Sequence, residues 1–250
     1  MKVNPTKFQA IIFKPNLEAT SSIDFCLSDG TVIKPTDNVK LLGMTLDEKL
    51  DYNMHINSLF KKCTRQLNVI GRLSKYLNME CKERIFDAFT ISNLNYCSVI
   101  YHFCSVSDTK RLERIQKRFL RYLLNDFNSS YSELLTASCR NTLYTSRQRI
   151  ILEHVFKIRH DLLPPMDSSF FVCNVSNDYN LRRNELLALP DYNYKKFGYH
   201  SLKYQGAKLW NAIPNDHRQI SDLKEFKCVI AQWNNECECN SCLACSLQMI

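Results

Sequence analysis

The chain has 250 residues, a 45% hydrophobic fraction, 33 basic against 25 acidic residues for a net charge of +8, and 12 cysteines. That length supports one large domain or two small ones around a buried core. The cysteines fall below the roughly 8–10% of a disulfide scaffold, which points to an intracellular chain with reduced thiols, nucleus or cytoplasm unresolved. Five glycines and seven prolines exclude collagen-like or linker composition, and the positive charge favours an anionic partner.

The first fifty residues carry short β-prone runs, 8–13 (FQAIIF) and 31–33 (TVI), punctuated by Pro15, Gly30, Pro35 and Gly43. They predict strands of a small sheet ending at residues 39–44. From Asp51 the period becomes helical: Ile56, Leu59, Phe60, Cys63, Leu67, Ile70, Leu73 and Leu77 form one apolar stripe, with Asp51 as N-cap. A second helix is expected after Asn78, with Ile85, Phe86 and Phe89 on one side, entering the uncharged residues 88–107. That segment is long enough to test as a membrane span. Thr90, Ser92, Asn93, Asn95, Ser98, His102 and Ser105 interrupt it, so a buried helix is expected and no membrane.

A third helix is expected with Ser107 as N-cap and Leu112, Ile115, Phe119, Tyr122 and Leu123 inward. Ser130 and Glu133 make a capping box for a short helix. Residues 146–163 read as a helix with Ile151, Leu152, Val155, Phe156 and Leu162 inward, ended by Pro164 and Pro165. Residues 166–214, rich in Tyr, Asn and Ser, read as partly ordered, and a last short helix covers residues 223–233. The expected fold class is α+β, predominantly α-helical: a small strand region over residues 1–50, a helical domain over 51–163, and an irregular region over 164–250 with a Cys-rich tail.

Residues 110–121 hold six basic residues against one acidic. At 100° per residue Lys110, Arg114, Lys117, Arg118 and Arg121 lie opposite Leu112, Ile115 and Phe119, a cationic ridge on a packed helix. Lys61, Arg65, Arg72 and Lys75 repeat the design on the first long helix. Two such faces can grip successive phosphates with little regard to sequence; the same pattern also fits a solvated surface. The tail packs Cys237, Cys239, Cys242 and Cys245 into nine residues. Zinc prefers four tetrahedral ligands from separated pairs, so the run reads either as part of a zinc site completed by Cys228 or His217, or as a metal-free tail. No glycine-rich phosphate loop and no adjacent aspartates occur. Asp47, Glu48 and Asp51 read as helix-start acids, and His55 and His154 as packed or exposed side chains rather than general bases.

Several phrases together resemble the C-terminal part of a reverse transcriptase from a jockey-like non-LTR retrotransposon. These are Asn4-Pro5-Thr6-Lys7 with residues 8–13, residues 39–47 (VKLLGMTLD) with Leu50, His55 and Ile56, and then Arg65-Gln66-Leu67-Asn68. Leu94-Asn95-Tyr96-Cys97, residues 112–118 (LERIQKR), Tyr179-Asn180-Leu181-Arg182, residues 206–211 (GAKLWN) and Phe226-Lys227 follow in the family's order. The resemblance implies the end of the palm, a helical thumb and a tail. Lys7 matches the palm lysine that assists departure of pyrophosphate, and Leu42 with Gly43 matches the primer-grip turn. It implies RNA, DNA or RNA–DNA duplex as partner, held by Lys61, Arg65, Arg72, Lys110, Arg114, Lys117, Arg118 and Arg121, with no small-molecule substrate for the chain alone. The family's catalytic Tyr-x-Asp-Asp box is not among these residues, so no DNA synthesis is expected of this polypeptide alone. Magnesium is expected only in the full polymerase. The alternative reading is a non-catalytic helical module for nucleic acid or protein.

Overall fold

The structure, a computed structural model, describes residues 8–13, 24–27, 30–164, 170–173, 186–194 and 198–233. It is predominantly helical, with two small antiparallel two-stranded sheets near the N-terminus. Packing divides the chain into two compact units, Met1–Arg65 and Gln66–Ile250.

In the first unit β1 (Phe25–Cys26) pairs with β2 (Val32–Ile33), and β3 (Asn38–Leu41) pairs with β4 (Met44–Asp47). Residues 8–13, expected as a strand, contribute an isolated bridge from Ala10 to Pro35. Leu42 and Gly43 form the two-residue loop between β3 and β4, with φ of 47° and 86°. Two positive φ values match the twist of a tight hairpin and suit glycine at the second position. The acid that organises the next turn is Asp47, whose carboxylate accepts the N–H groups of Lys49 (3.2 Å), Asp51 (2.9 Å) and Tyr52 (2.7 Å). Asp51 is therefore not the N-cap of α1 (Asn53–Leu73). Tyr52, at φ 59°, precedes the first turn, and its carbonyl accepts the Ile56 N–H at 2.9 Å. Ile56, Leu59, Cys63, Leu67 and Ile70 are buried along α1 as the stripe predicts, whereas Leu73, at the helix end, is exposed.

The second unit continues from α1 to α2 (Met79–Ile85), where the Asn78 side chain accepts the Cys81 N–H at 2.8 Å. A π-helical turn over Phe86–Ile91 follows, then α3 (Ser92–Asn95). The wide turn bonds the Ser92 N–H to the Asp87 carbonyl, five residues back. Buried positions consequently fall on Phe86, Thr90 and Leu94, and Phe89, expected inside, is exposed. The chain then breaks at Cys97, in the left-handed region at φ 52°, before α4 (Ser98–Tyr101). Residues 88–107 are thus not one helix, and among the described residues no helix is long and apolar enough to cross a membrane.

Helix α5 (Val106–Leu124) is capped by Ser105 rather than Ser107, with Asn125 left-handed at its end. Helix α6 (Tyr131–Ala137) carries the full Ser130–Glu133 capping box. Helix α7 (Leu143–Arg159) starts from Thr142 and ends ahead of Pro164, which leaves Leu162 exposed. In the segment expected to be irregular lies α8 (Leu202–Ala212), capped by Ser201. Then come α9 (Asn215–Arg218) and α10 (Leu223–Gln232), the latter capped by Asp222.

Ile151, Leu152, Val155 and Phe156 of α7 share one core with Leu187, Trp210, Phe226 and Ile230. That core spans both sides of residue 164, where composition suggested a boundary. Phe156 stacks on Phe226 at 4.4 Å between ring centroids. A Cβ on Gly206 would meet Val155 Cγ2 at 3.0 Å, so α8 approaches α7 closely there. The Asn211 carboxamide holds the Leu187 backbone by two bonds of 2.8 Å, one to its N–H and one to its carbonyl.

Three helices meet at a buried acid. Glu113, on the inner face of α5, accepts the Tyr131 hydroxyl of α6 at 2.7 Å. It also accepts the first two N–H groups of α7, from Leu143 at 3.1 Å and Tyr144 at 2.7 Å. Burial pushes its pKa up, while the Arg147 charge and these three donors pull against that rise. Glu113→Ala would leave two amides, a hydroxyl and the buried Arg147 uncompensated. It is expected to cost about 3–5 kcal/mol, read as a fall in the urea midpoint. A loss under about 1 kcal/mol would refute this role.

His102, buried against Phe103 and stacked on Tyr144 at 4.8 Å, is held well below the usual imidazole range by burial and by the Arg147 charge. The unfolded chain takes the proton more readily than the folded one. The stability this residue supplies is therefore complete above about pH 6.5 and lost as pH falls toward the folded value. Between about pH 7.5 and 5.5 the wild type is expected to lose more unfolding free energy than His102→Phe. Equal losses would show that His102 is not the sensor.

Candidate nucleic-acid interface

The outer face of α5 is where the cations predicted from sequence come together. Arg114 and Arg118 are exposed, and Lys110, Lys117 and Arg121 are half-buried. Arg114, Lys117, Arg118 and Arg121 line one open concavity of about 410 Å³ with Tyr122 and Phe127. Lys110, nearer the start of the helix, is not among the lining residues. Arg111 pairs instead with Asp108 at 2.9 Å.

Within the lining, Arg118 is positioned by neutral groups. Arg118 gives Nη2 to Asn68 Oδ1 at 2.9 Å and Nε to the Tyr122 hydroxyl at 3.0 Å, and its guanidinium lies 5.6 Å from the Tyr122 ring centroid. The same Tyr122 ring rests on Gly71 of α1, where a Cβ would stand 2.9 Å from Cζ. The Arg121 Nε is buried without a hydrogen-bond partner. Among the described residues none of Arg114, Arg118 and Arg121 forms an ion pair with a carboxylate. Burial, with the charge of Arg121, lowers the Lys117 ammonium below the ordinary lysine range. Positive charge concentrated this way, with none of the three arginines in a carboxylate ion pair and the Asp126 charge acting on Arg121 only through space, is a site for an external anion.

Beyond the left-handed Asn125 the chain turns on Asp126. Its carboxylate accepts the N–H groups of Asn128 and Ser129, each at 3.0 Å, and the Ser129 hydroxyl. Those bonds, the hydroxyl's first, hold its pKa below the ordinary carboxylate range. The turn carries Phe127, 55% exposed, with its ring 6.1 Å from that of Tyr122 at an interplanar angle of 68°.

Other expected residues stand elsewhere. Lys61 and Arg65 are exposed on the part of α1 that belongs to the first unit, and Arg72 is exposed near its end in the second. Leu42, at the tip of the β3–β4 loop, is 82% exposed beside Gly43. His55 is buried, and its Nδ1 lies 3.5 Å from the Thr45 N–H; burial lowers its pKa. Lys7 and the four cysteines Cys237, Cys239, Cys242 and Cys245 lie outside the described residues. Among the described residues no three His, Cys, Asp or Glu side chains gather to hold a metal ion.

Sequence reasoning missed two members of this surface. It assigned Tyr122 to the inner face, and it passed over Phe127. Both left a signal, since Tyr122 follows Arg118 by one helical turn, and Phe127 is a lone aromatic in the polar run 125–130 (NDFNSS). Comparison of the chain with protein-family models, with curated proteins and with solved structures finds no match.

Proposed function

We propose that this chain is a non-catalytic part of a reverse transcriptase of the jockey-like non-LTR retrotransposon type, working inside the cell. In this reading it holds the phosphates of RNA, DNA or an RNA–DNA duplex on α5. The observation that carries the reading is the concavity where Arg114, Lys117, Arg118 and Arg121 meet beside two aromatic rings. Guanidinium groups match phosphate oxygens in geometry and stay charged at every physiological pH. Aromatic rings among the cations favour nucleic acid over an acidic protein surface, because a base offers a π face to stack and a carboxylate does not.

The ordered series of phrases described above supports the family assignment, and the exposed Leu42 beside Gly43 suits the turn expected to approach a primer end. Without the Tyr-x-Asp-Asp box these residues lack the aspartates that would hold two catalytic metal ions. A zinc ion on the C-terminal cysteines remains part of the proposal, and ligand-to-metal absorption of a cobalt-substituted sample tests it.

Affinity of the chain for a labelled RNA–DNA duplex, read by fluorescence anisotropy, is expected to fall steeply with salt, linearly on logarithmic axes. The double variant Arg114→Glu/Lys117→Glu should weaken binding on all sequences and make the salt slope shallower by about two. Binding unaffected by salt or by these reversals would overturn the phosphate-binding reading. Magnesium-dependent primer extension by the chain alone would overturn the non-catalytic one.

A further inference from the structure

The α5 concavity is not only cationic, and its second character narrows what it holds. At about 410 Å³ it lies near the small end of the roughly 300–1,000 Å³ typical of ligand sites, space on the scale of one nucleotide unit. Its walls differ in kind. Arg114, Lys117 and Arg121 come from successive turns of α5, while Phe127 comes from the following loop.

Phe127 is the residue that most needs an explanation. It is a large apolar ring, 55% exposed, on a turn otherwise built of polar residues. Asp126 fastens Asn128 and Ser129, the two residues after Phe127, through their N–H groups, so the turn presents the ring from a braced backbone. Tyr122 does not compete for the same task, because it already carries Arg118 and rests on Gly71.

We propose that this concavity takes one unpaired nucleotide, with its phosphate on Arg114, Lys117 and Arg121 and its base against Phe127. The inference rests on the reading that α5 binds nucleic acid, and deepens it by naming the form of strand that fits best. A duplex keeps its bases stacked inside and offers only phosphate oxygens to a helix face. A single strand can splay a base out onto an aromatic ring. The site therefore favours unpaired RNA or DNA, such as an overhang or a displaced strand, over a continuous duplex.

Three labelled probes of equal length separate the possibilities by fluorescence anisotropy on the full chain: a single strand, the same strand with abasic sites, and an RNA–DNA duplex. The intact single strand is expected to bind roughly tenfold more tightly than the abasic strand. Phe127→Ala should abolish that difference by bringing the intact strand down to the affinity of the abasic one, and Phe127→Trp should keep it. The ring is more than half exposed, so neither change removes core packing. Equal binding of intact and abasic strands by the wild type would overturn the proposal and leave phosphate binding standing. So would a uniform loss across all three probes in Phe127→Ala. No binding to any probe, even at low salt, would overturn the parent reading as well.

Discussion

A carboxylate buried between helices asks for donors, and Glu113 takes its donors from two separate stretches of chain. Tyr131 comes from α6, and Leu143 and Tyr144 come from the first turn of α7, whose N–H groups have no partner within their own helix. The acid thus satisfies orphan amides that a side chain at the N-cap position alone would leave unmet. A charge in this position is tolerated only while all its partners stay in place. The direction of α7, and with it the core that α7 shares with Trp210 and Phe226, depends on one side chain of α5.

The same constraint decides which face of α5 meets water. With Glu113, Leu112, Gln116 and Phe119 turned inward, the helix has no rotation left that would hide its arginines. Phe86 stacks on Phe119 with ring planes 2° apart, and Arg140 clamps the contact by lying over both rings while binding Asp87 at 2.9 and 3.0 Å. Cations inside the second unit are thus of two sorts. Arg140 and Arg111 are matched to carboxylates, whereas Arg118 is held in position by the neutral Asn68 and Tyr122 side chains.

Much of this was legible in the sequence wherever cause and effect lie within a few residues. The stripe from Ile56 to Ile70 and the capping box at Ser130 and Glu133 both follow from local rules, and the structure carries each one. The cationic ridge was legible for the same reason, as a simple matter of helical phase. Start positions shifted where several capping residues compete, as Ser105 does with Ser107 and Thr142 with Ser146. Longer-range features left no periodic trace. Glu113 finds partners 18, 30 and 31 positions away, and α8 hides in a stretch whose Tyr and Asn content reads as loop until Asn211 is seen holding Leu187. Phe127 escaped because its signal, a single ring in the polar run 125–130, has no period to follow.

The wide turn at Phe86–Ile91 shows how this architecture absorbs a change of length. A π turn is an α-helix with one residue too many, bulged outward so that the helix on either side keeps its phase. Here the surplus lies on the solvent side, at Asp87, Ala88 and Phe89, while Phe86, Thr90 and Leu94 stay in line along the buried side. Removing one outward residue would restore an ordinary helix and return the following turns to the same inward register. The helix that supports the back of α5 therefore has room to lose one residue at this point, and the stacked rings beneath it need not move.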